Sequence, residues 1–160
     1  MALIYNEEQL MLKDAARTFL RERAPVSHLR ALRDSGDETG FSRELWAEIC
    51  EMGWAAILVD EEHGGLDYGY VGIGIVLEEC GRTLSPSPLL GTALAGVTAL
   101  NLAGTPAQCT ELLPAVASGG HLLALACDET SRHEPGKAGT EAEVLEEGFR
   151  LNGRKNAVLD

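Results

Sequence analysis

No two of the four cysteines (Cys50, Cys80, Cys109, Cys127) stand in the C-x-x-C spacing of zinc sites and redox dithiols. Each lies among apolar neighbours, as small buried hydrophobes do in a reducing cytoplasm. Basic residues are also few: 13 Lys and Arg against 25 Asp and Glu leave a formal charge of −12. That balance argues against non-specific nucleic-acid binding and against anionic membrane surfaces. The acid is spread along the chain, which reads as solubility. Nor is there an apolar run of membrane length. The longest, Pro88 to Gly104, is interrupted by Thr92, Thr98 and Asn101 and falls short of the ~20 residues a span needs. Glu7 and Glu8 precede any long apolar run, so neither a signal nor a transit peptide is expected.

What is there suits one domain, or a small domain with part of another: 160 residues, 45% of them apolar. Asn6 with Gln9 reads as a capping box opening a helix whose apolar face is Leu12, Ala15, Ala16 and Phe19. That helix ends before Pro25. A short helix over Ser27 to Asp34 and a polar loop to Gly40 follow. Ser42 caps a second long helix burying Trp46, Ile49 and Cys50, and Gly53 is placed to end it in the left-handed conformation. The uncharged run Trp54 to Val59 is too short to be a helix of its own. It meets Asp60-Glu61-Glu62 and stops at His63-Gly64-Gly65, two glycines able to take positive φ. This stretch is the crossing piece between helices.

A third apolar face is Tyr70, Ile73, Gly74, Leu77 and Gly81, with Gly72 and Gly74 marking close approach of a neighbour. Glu79 is expected to face water and Cys80 to pack. Ser87 caps a helix with Pro88 at its first position, and Leu90, Leu94, Val97 and Leu100 make that helix central. Gly104 stops it. Thr105 to Gln108 is a second capping box, and its helix ends at Ser118-Gly119-Gly120. Then the pattern changes to short alternating runs: His121 to Cys127, Thr140 to Glu146, and Arg154 to Leu159 returning from an Asn152-Gly153 hairpin. The fold class is mainly α, an up-and-down helical domain over residues 1–119. The first strands of an incomplete antiparallel β-domain follow over 120–160.

Three stretches in colinear order resemble the acyl-CoA dehydrogenase family. WAEICEMGWAAILVDEEHGG is similar to its helix, Gly, apolar run and Glu-Glu-aromatic-Gly-Gly, although the family usually has proline at Asp60 and an aromatic at His63. Leu113, Pro114, Val116, Ala117, Ser118 and Gly119 match its Leu-Pro-x-Leu/Val-Ala-Ser-Gly signature. Leu151, Asn152, Gly153 and Lys155 match its Leu-Asn-Gly-x-Lys hairpin. The resemblance implies a flavoprotein with a helical domain, a middle β-domain and a C-terminal helical bundle. It implies removal of the α-proton of an acyl-CoA by a glutamate, hydride transfer to FAD and electron flow to an electron-transferring flavoprotein. It also implies a homo-oligomer, tetramer or dimer, in fatty acid metabolism.

By the same resemblance Leu125, Cys127, Asp128 and Leu159 fall at the flavin, and Ser131 and Tyr70 at the substrate. The family's Thr-Glu-Pro stands here as Asp128-Glu129-Thr130. Its tryptophan and threonine beyond the hairpin lysine align with Ala157 and Leu159. The bundle's catalytic glutamate lies past Asp160, so no residue here takes that role. Asp60 to His63 reads as a solvated turn rather than a metal site. His121 and His133 read as surface or hydrogen-bonded residues, and Cys127 as backbone and packing. The alternative to part of a dehydrogenase is a non-catalytic, flavin-free partner subunit or interaction module of the same fold.

Overall fold

The computed structural model describes residues 4–158. The chain falls into two compact units, Met1–Leu123 and Ala124–Asp160. Among the described residues the first holds six α-helices: α1 (Glu7–Arg23), α2 (Val26–Ser35), α3 (Arg43–Glu51), α4 (Tyr70–Thr83), α5 (Val97–Ala103) and α6 (Pro106–Ala117). The second holds an antiparallel hairpin, β1 (Glu141–Leu145) with β2 (Gly148–Asn152). Among the described residues no helix is long and apolar enough to cross a membrane.

The helix starts are set by side chains. Both capping boxes form, Asn6 with Gln9 and Thr105 with Gln108, and Ser42 accepts from the Leu45 N–H. Each satisfies an amide the first turn leaves without a partner. Gly53 ends α3 at φ 77°. Pro88 stands just before its helix rather than inside it, and Ser87 does not cap. That helix begins as a π-helical segment, Leu89–Gly96, and continues as α5. The buried Thr92 hydroxyl donates to the Leu123 carbonyl and accepts the Leu123 N–H, both at 3.0 Å. This closes the end of the unit.

The core gathers Leu20, Ile49, Trp54, Ile57, Val59, Ile73, Val76, Leu89, Val97, Leu113 and Val116. Phe19 meets Trp54 edge to face, centroids 5.3 Å apart. On α1 the buried face carries Leu20 while Ala15 lies exposed. On α4 it is Gly72, Ile73, Val76, Glu79 and Cys80, not Tyr70, Gly74 and Gly81, which are exposed. Only Gly72 of the two early glycines has a close neighbour, Tyr68, whose Cδ1 a Cβ would meet at 2.3 Å. Glu79 does not face water. It is 1% exposed, and Arg17 reaches it at 3.0 Å and Arg82 at 3.3 Å. Two arginines, one from α1 and one from α4 itself, replace the solvent a buried carboxylate needs.

The crossing piece forms 3₁₀ turns at Trp54–Ala56 and Glu61–His63. Gly64 takes φ 83°, but Gly65 does not have positive φ. A Cβ on Gly65 would lie 1.9 Å from the Val59 carbonyl oxygen, whereas one on Gly64 meets nothing within 4 Å. The two glycines are therefore required for different reasons. Gly64→Ala is expected to cost about 1 kcal/mol, the strain of a left-handed alanine. Gly65→Ala should cost about 3 kcal/mol, because backbone must move. Urea unfolding of the two variants checks this; equal costs would contradict the close approach.

Residues 121–127 cross from the first unit into the second and, among the described residues, join no sheet: the His121 N–H donates to the Ala115 carbonyl at 3.1 Å and Leu123 is tied to Thr92, so the run is not a strand. The hairpin turn lies at Glu146-Glu147, with Gly148 at φ 138°, not at Asn152-Gly153. Gly153 is demanded instead by Thr140, whose Cα a Cβ would meet at 2.8 Å. Residues 154–158 follow β2 without ladder pairing.

Candidate functional site

Leu125, Cys127, Asp128 and Ser131 share one irregular segment of the second unit; Leu159 lies outside the described residues. Among the described residues, the backbone N–H groups of Ala124, Leu125, Ala126 and Cys127 have no hydrogen-bond partner. Leu125 is 45% exposed, and Cys127 is half-buried. Ser131 sits on an exposed bend.

Beyond this segment the chain is tied by a set of polar contacts. Glu129 Oε1 accepts from Lys155 Nζ at 2.7 Å and from the Thr140 hydroxyl at 2.6 Å. It also takes the Thr140 N–H at 3.1 Å, and Oε2 takes the Gly139 N–H. Lys155 Nζ reaches the Cys127 carbonyl as well, at 3.4 Å. Asn156 completes the tie: its N–H donates to the Asp128 carbonyl at 2.7 Å and its side-chain amide to the Glu129 carbonyl at 2.6 Å. Asp128 is itself turned to His133 Nδ1 at 2.9 Å and accepts the Glu134 N–H at 3.0 Å. The hairpin base and the chain after it thus converge on residues 127–129.

Charge follows from these partners. Hydrogen bonds from Lys155, the Thr140 hydroxyl and the Gly139 N–H hold the Glu129 carboxyl down at about 2. His133, with the Glu134 N–H, lowers that of Asp128. Burial raises the thiols of Cys50 and Cys80 to about 11, so both are un-ionised at neutral pH.

Tyr70 belongs to the helical unit. It opens α4, is 57% exposed, and its hydroxyl lies 3.1 Å from that of Thr98. The acidic turn brings Asp60, Glu62 and His63 donor atoms within 4.8 Å of one another. His63 Nδ1 stands 3.8 Å from Glu62, beyond hydrogen-bond reach. Its shape comes from the backbone: the Asp60 carbonyl accepts the His63 and Gly65 N–H groups, each at 3.0 Å.

Residues 6–120 match the model of the acyl-CoA dehydrogenase N-terminal domain. The chain belongs to the acyl-CoA dehydrogenase family. It is 38% identical over 119 residues to the acyl-CoA dehydrogenase IpdE2 of Mycobacterium tuberculosis, a match covering 73% of this chain and 37% of that protein. Among solved structures, a steroid ACAD variant superposes with a TM-score of 0.83 at 31% identity, over 95% of this chain and 41% of its own. The ChsE4–ChsE5 complex of Mycobacterium tuberculosis gives 0.84 at 25% identity, over 99% and 42%. The chain therefore spans about two fifths of the length of these relatives.

Glu129 and its donors were not legible as a set, because their partners are 10 to 27 residues apart. The available signals were Lys155 in the hairpin motif and Glu129 at the glutamate of the family's Thr-Glu-Pro, two matches that nothing local joins.

The depressed carboxyl of Glu129 gives a pH expectation with a definite sign. A folded value below the ordinary 4.5 contributes stability that is fully present above 4.5 and is lost as pH falls through about 2. Carbon-13 titration of the Glu129 carboxyl should give a midpoint near 2. A midpoint at the ordinary value would mean that Lys155 and Thr140 do not hold it.

Proposed function

We propose that this chain supplies the amino-terminal portion of an FAD-dependent acyl-CoA dehydrogenase, an oxidoreductase forming the α,β double bond of an acyl-CoA thioester. The observation that carries this reading is the family match over residues 6–120. In this role the helical unit contributes a wall of the acyl pocket, with Tyr70 and its hydroxyl at one border. Leu125, Cys127 and Asp128 lie along the flavin edge, and Ser131 offers a hydroxyl to the thioester ligand.

The fit to a flavin is through backbone rather than side chains. Ala157 and Leu159 bring neither an indole to stack nor a hydroxyl to donate. The free N–H groups of residues 124–127 are donors of the kind a flavin ring accepts. Bound there, FAD would supply the hydride acceptor. This chain's residues hold and orient the ring edge and exclude water from one side, and none of them is assigned as the base.

The wider reading places the protein in the cytoplasm, as a homo-oligomer passing electrons to an electron-transferring flavoprotein. A flavin-free partner subunit of the same fold is not favoured by relatives named as acyl-CoA dehydrogenases.

The test uses the full-length protein. Purified and incubated with FAD, it should show flavin absorbance that persists through gel filtration, and anaerobic acyl-CoA should bleach it. Bleaching by a panel of straight, branched and steroid side-chain thioesters would rank the substrate class. A full-length protein that neither retains FAD nor is bleached would overturn the proposal.

A further inference from the structure

We propose that Glu129 is the positioning residue of the flavin-facing segment, with Lys155 as its counter-ion and Thr140 as its second anchor. This rests on the reading of residues 125–128 as the flavin edge. Four donors from three residues meet on the one carboxylate: Gly139 and Thr140 at the base of β1, and Lys155 beyond β2. The side chain is 13% exposed, so these donors stand in for the water it has lost. Lys155 bridges from Glu129 to the Cys127 carbonyl, and Asn156 spans the carbonyls of Asp128 and Glu129.

The consequence is directional. The carbonyl groups of residues 127–129 are taken by Lys155 and Asn156, while the N–H groups of residues 124–127 are left without partners. The segment is held through its acceptors and keeps its donors available. A ligand bearing hydrogen-bond acceptors along one edge, as the pyrimidine side of an isoalloxazine does, matches that arrangement. Glu129 itself does not touch such a ligand. It acts through the backbone it anchors, as outer partners orient the ligands of a metal.

The variants are made in the full-length protein. Glu129→Gln keeps the size and one acceptor but loses the charge that Lys155 pairs with. Thr140→Val removes only the hydroxyl donor and keeps a β-branched side chain in β1's approach. Lys155→Arg keeps a cation. FAD dissociation constants come from quenching of flavin fluorescence, and the visible spectrum of bound flavin reports the hydrogen bonds at its edge. Circular dichroism and urea unfolding report the fold.

Glu129→Gln should weaken FAD about tenfold or more, the scale seen when an outer partner is removed. It should also shift the bound flavin's absorption bands while the helical signal stays unchanged. Thr140→Val should move both readouts the same way by a smaller factor, and Lys155→Arg should retain most of the affinity. Should Glu129→Gln be too unstable to purify, Thr140→Val carries the test alone. Wild-type affinity and an unshifted spectrum in these variants would overturn the positioning role while leaving the dehydrogenase reading intact. A wild-type protein that binds no FAD would overturn that reading, and this inference with it.

Discussion

A stretch of chain that is neither long helix nor strand runs through the middle of the helical unit, and its peptide groups must be satisfied out of water. Trp54 to Val59 are all buried. An unpaired buried peptide group costs as much as a lost hydrogen bond or more. The returning segment meets this demand: Leu66, Asp67 and Tyr68 donate to the carbonyls of Ala56, Val59 and Ile57 at 2.9 to 3.0 Å. Asn101 on α5 supplies the remaining donor, to the Leu58 carbonyl at 3.0 Å. For the return to come this close, residue 65 has to lack a side chain, and residue 64 has to turn left-handed. These bonds tie the irregular piece to the returning segment and to α5, and so fix where the surrounding helices meet it.

Around it the helices add burial and polar ties, two of which involve buried side chains. Trp46 buries its ring and donates its indole N–H to the Gly119 carbonyl at 3.1 Å, joining α3 to the end of α6. Gly119 has φ 76°, and a Cβ there would meet Cys50 Sγ at 2.3 Å, so the close approach and the turn are met by one residue. Glu79 on α4 and Arg17 on α1 make the other tie. A buried charge pair is weak evidence for stability, but it sets which faces of the two helices can meet.

Much of this was legible in the sequence, and the reason is locality. Asn6 with Gln9, Ser42, Gly53 and Thr105 with Gln108 act on the backbone within three residues, so the boundaries of α1, α3 and α6 follow from them. What failed depended on distant partners. Glu79 looks like a surface residue until Arg17, 62 residues away, is placed beside it. Asn152-Gly153 carries a strong hairpin signal, yet the chain turns at Glu146-Glu147. Gly153 is there because Thr140 comes close, a fact of register no dipeptide reveals. The run His121 to Cys127 has strand composition and strand length. Pairing is a property of two segments, and among the described residues no second one lies beside it.

The two units solve the same problem with different interactions. The helical unit can rely on apolar burial, which is large, non-directional and tolerant of which residue meets which. The second unit has little of it: every residue of β1 and β2 is exposed, Phe149 to 71%. A lone two-stranded hairpin is marginal in water. Its order has to come from charge-assisted hydrogen bonds, which are stronger than neutral ones and fix distance and direction together. Apolar contact could gather residues 125–129 into a cluster without deciding which way their peptides point. A carboxylate met by two N–H groups, a hydroxyl and an ammonium does decide it, because Gly139, Thr140 and Lys155 reach it from separate points of the chain and engage both of its oxygens. Among the described residues, the unit poorest in core is therefore the one in which polar and charged contacts, rather than apolar burial, fix the backbone of residues 127–129.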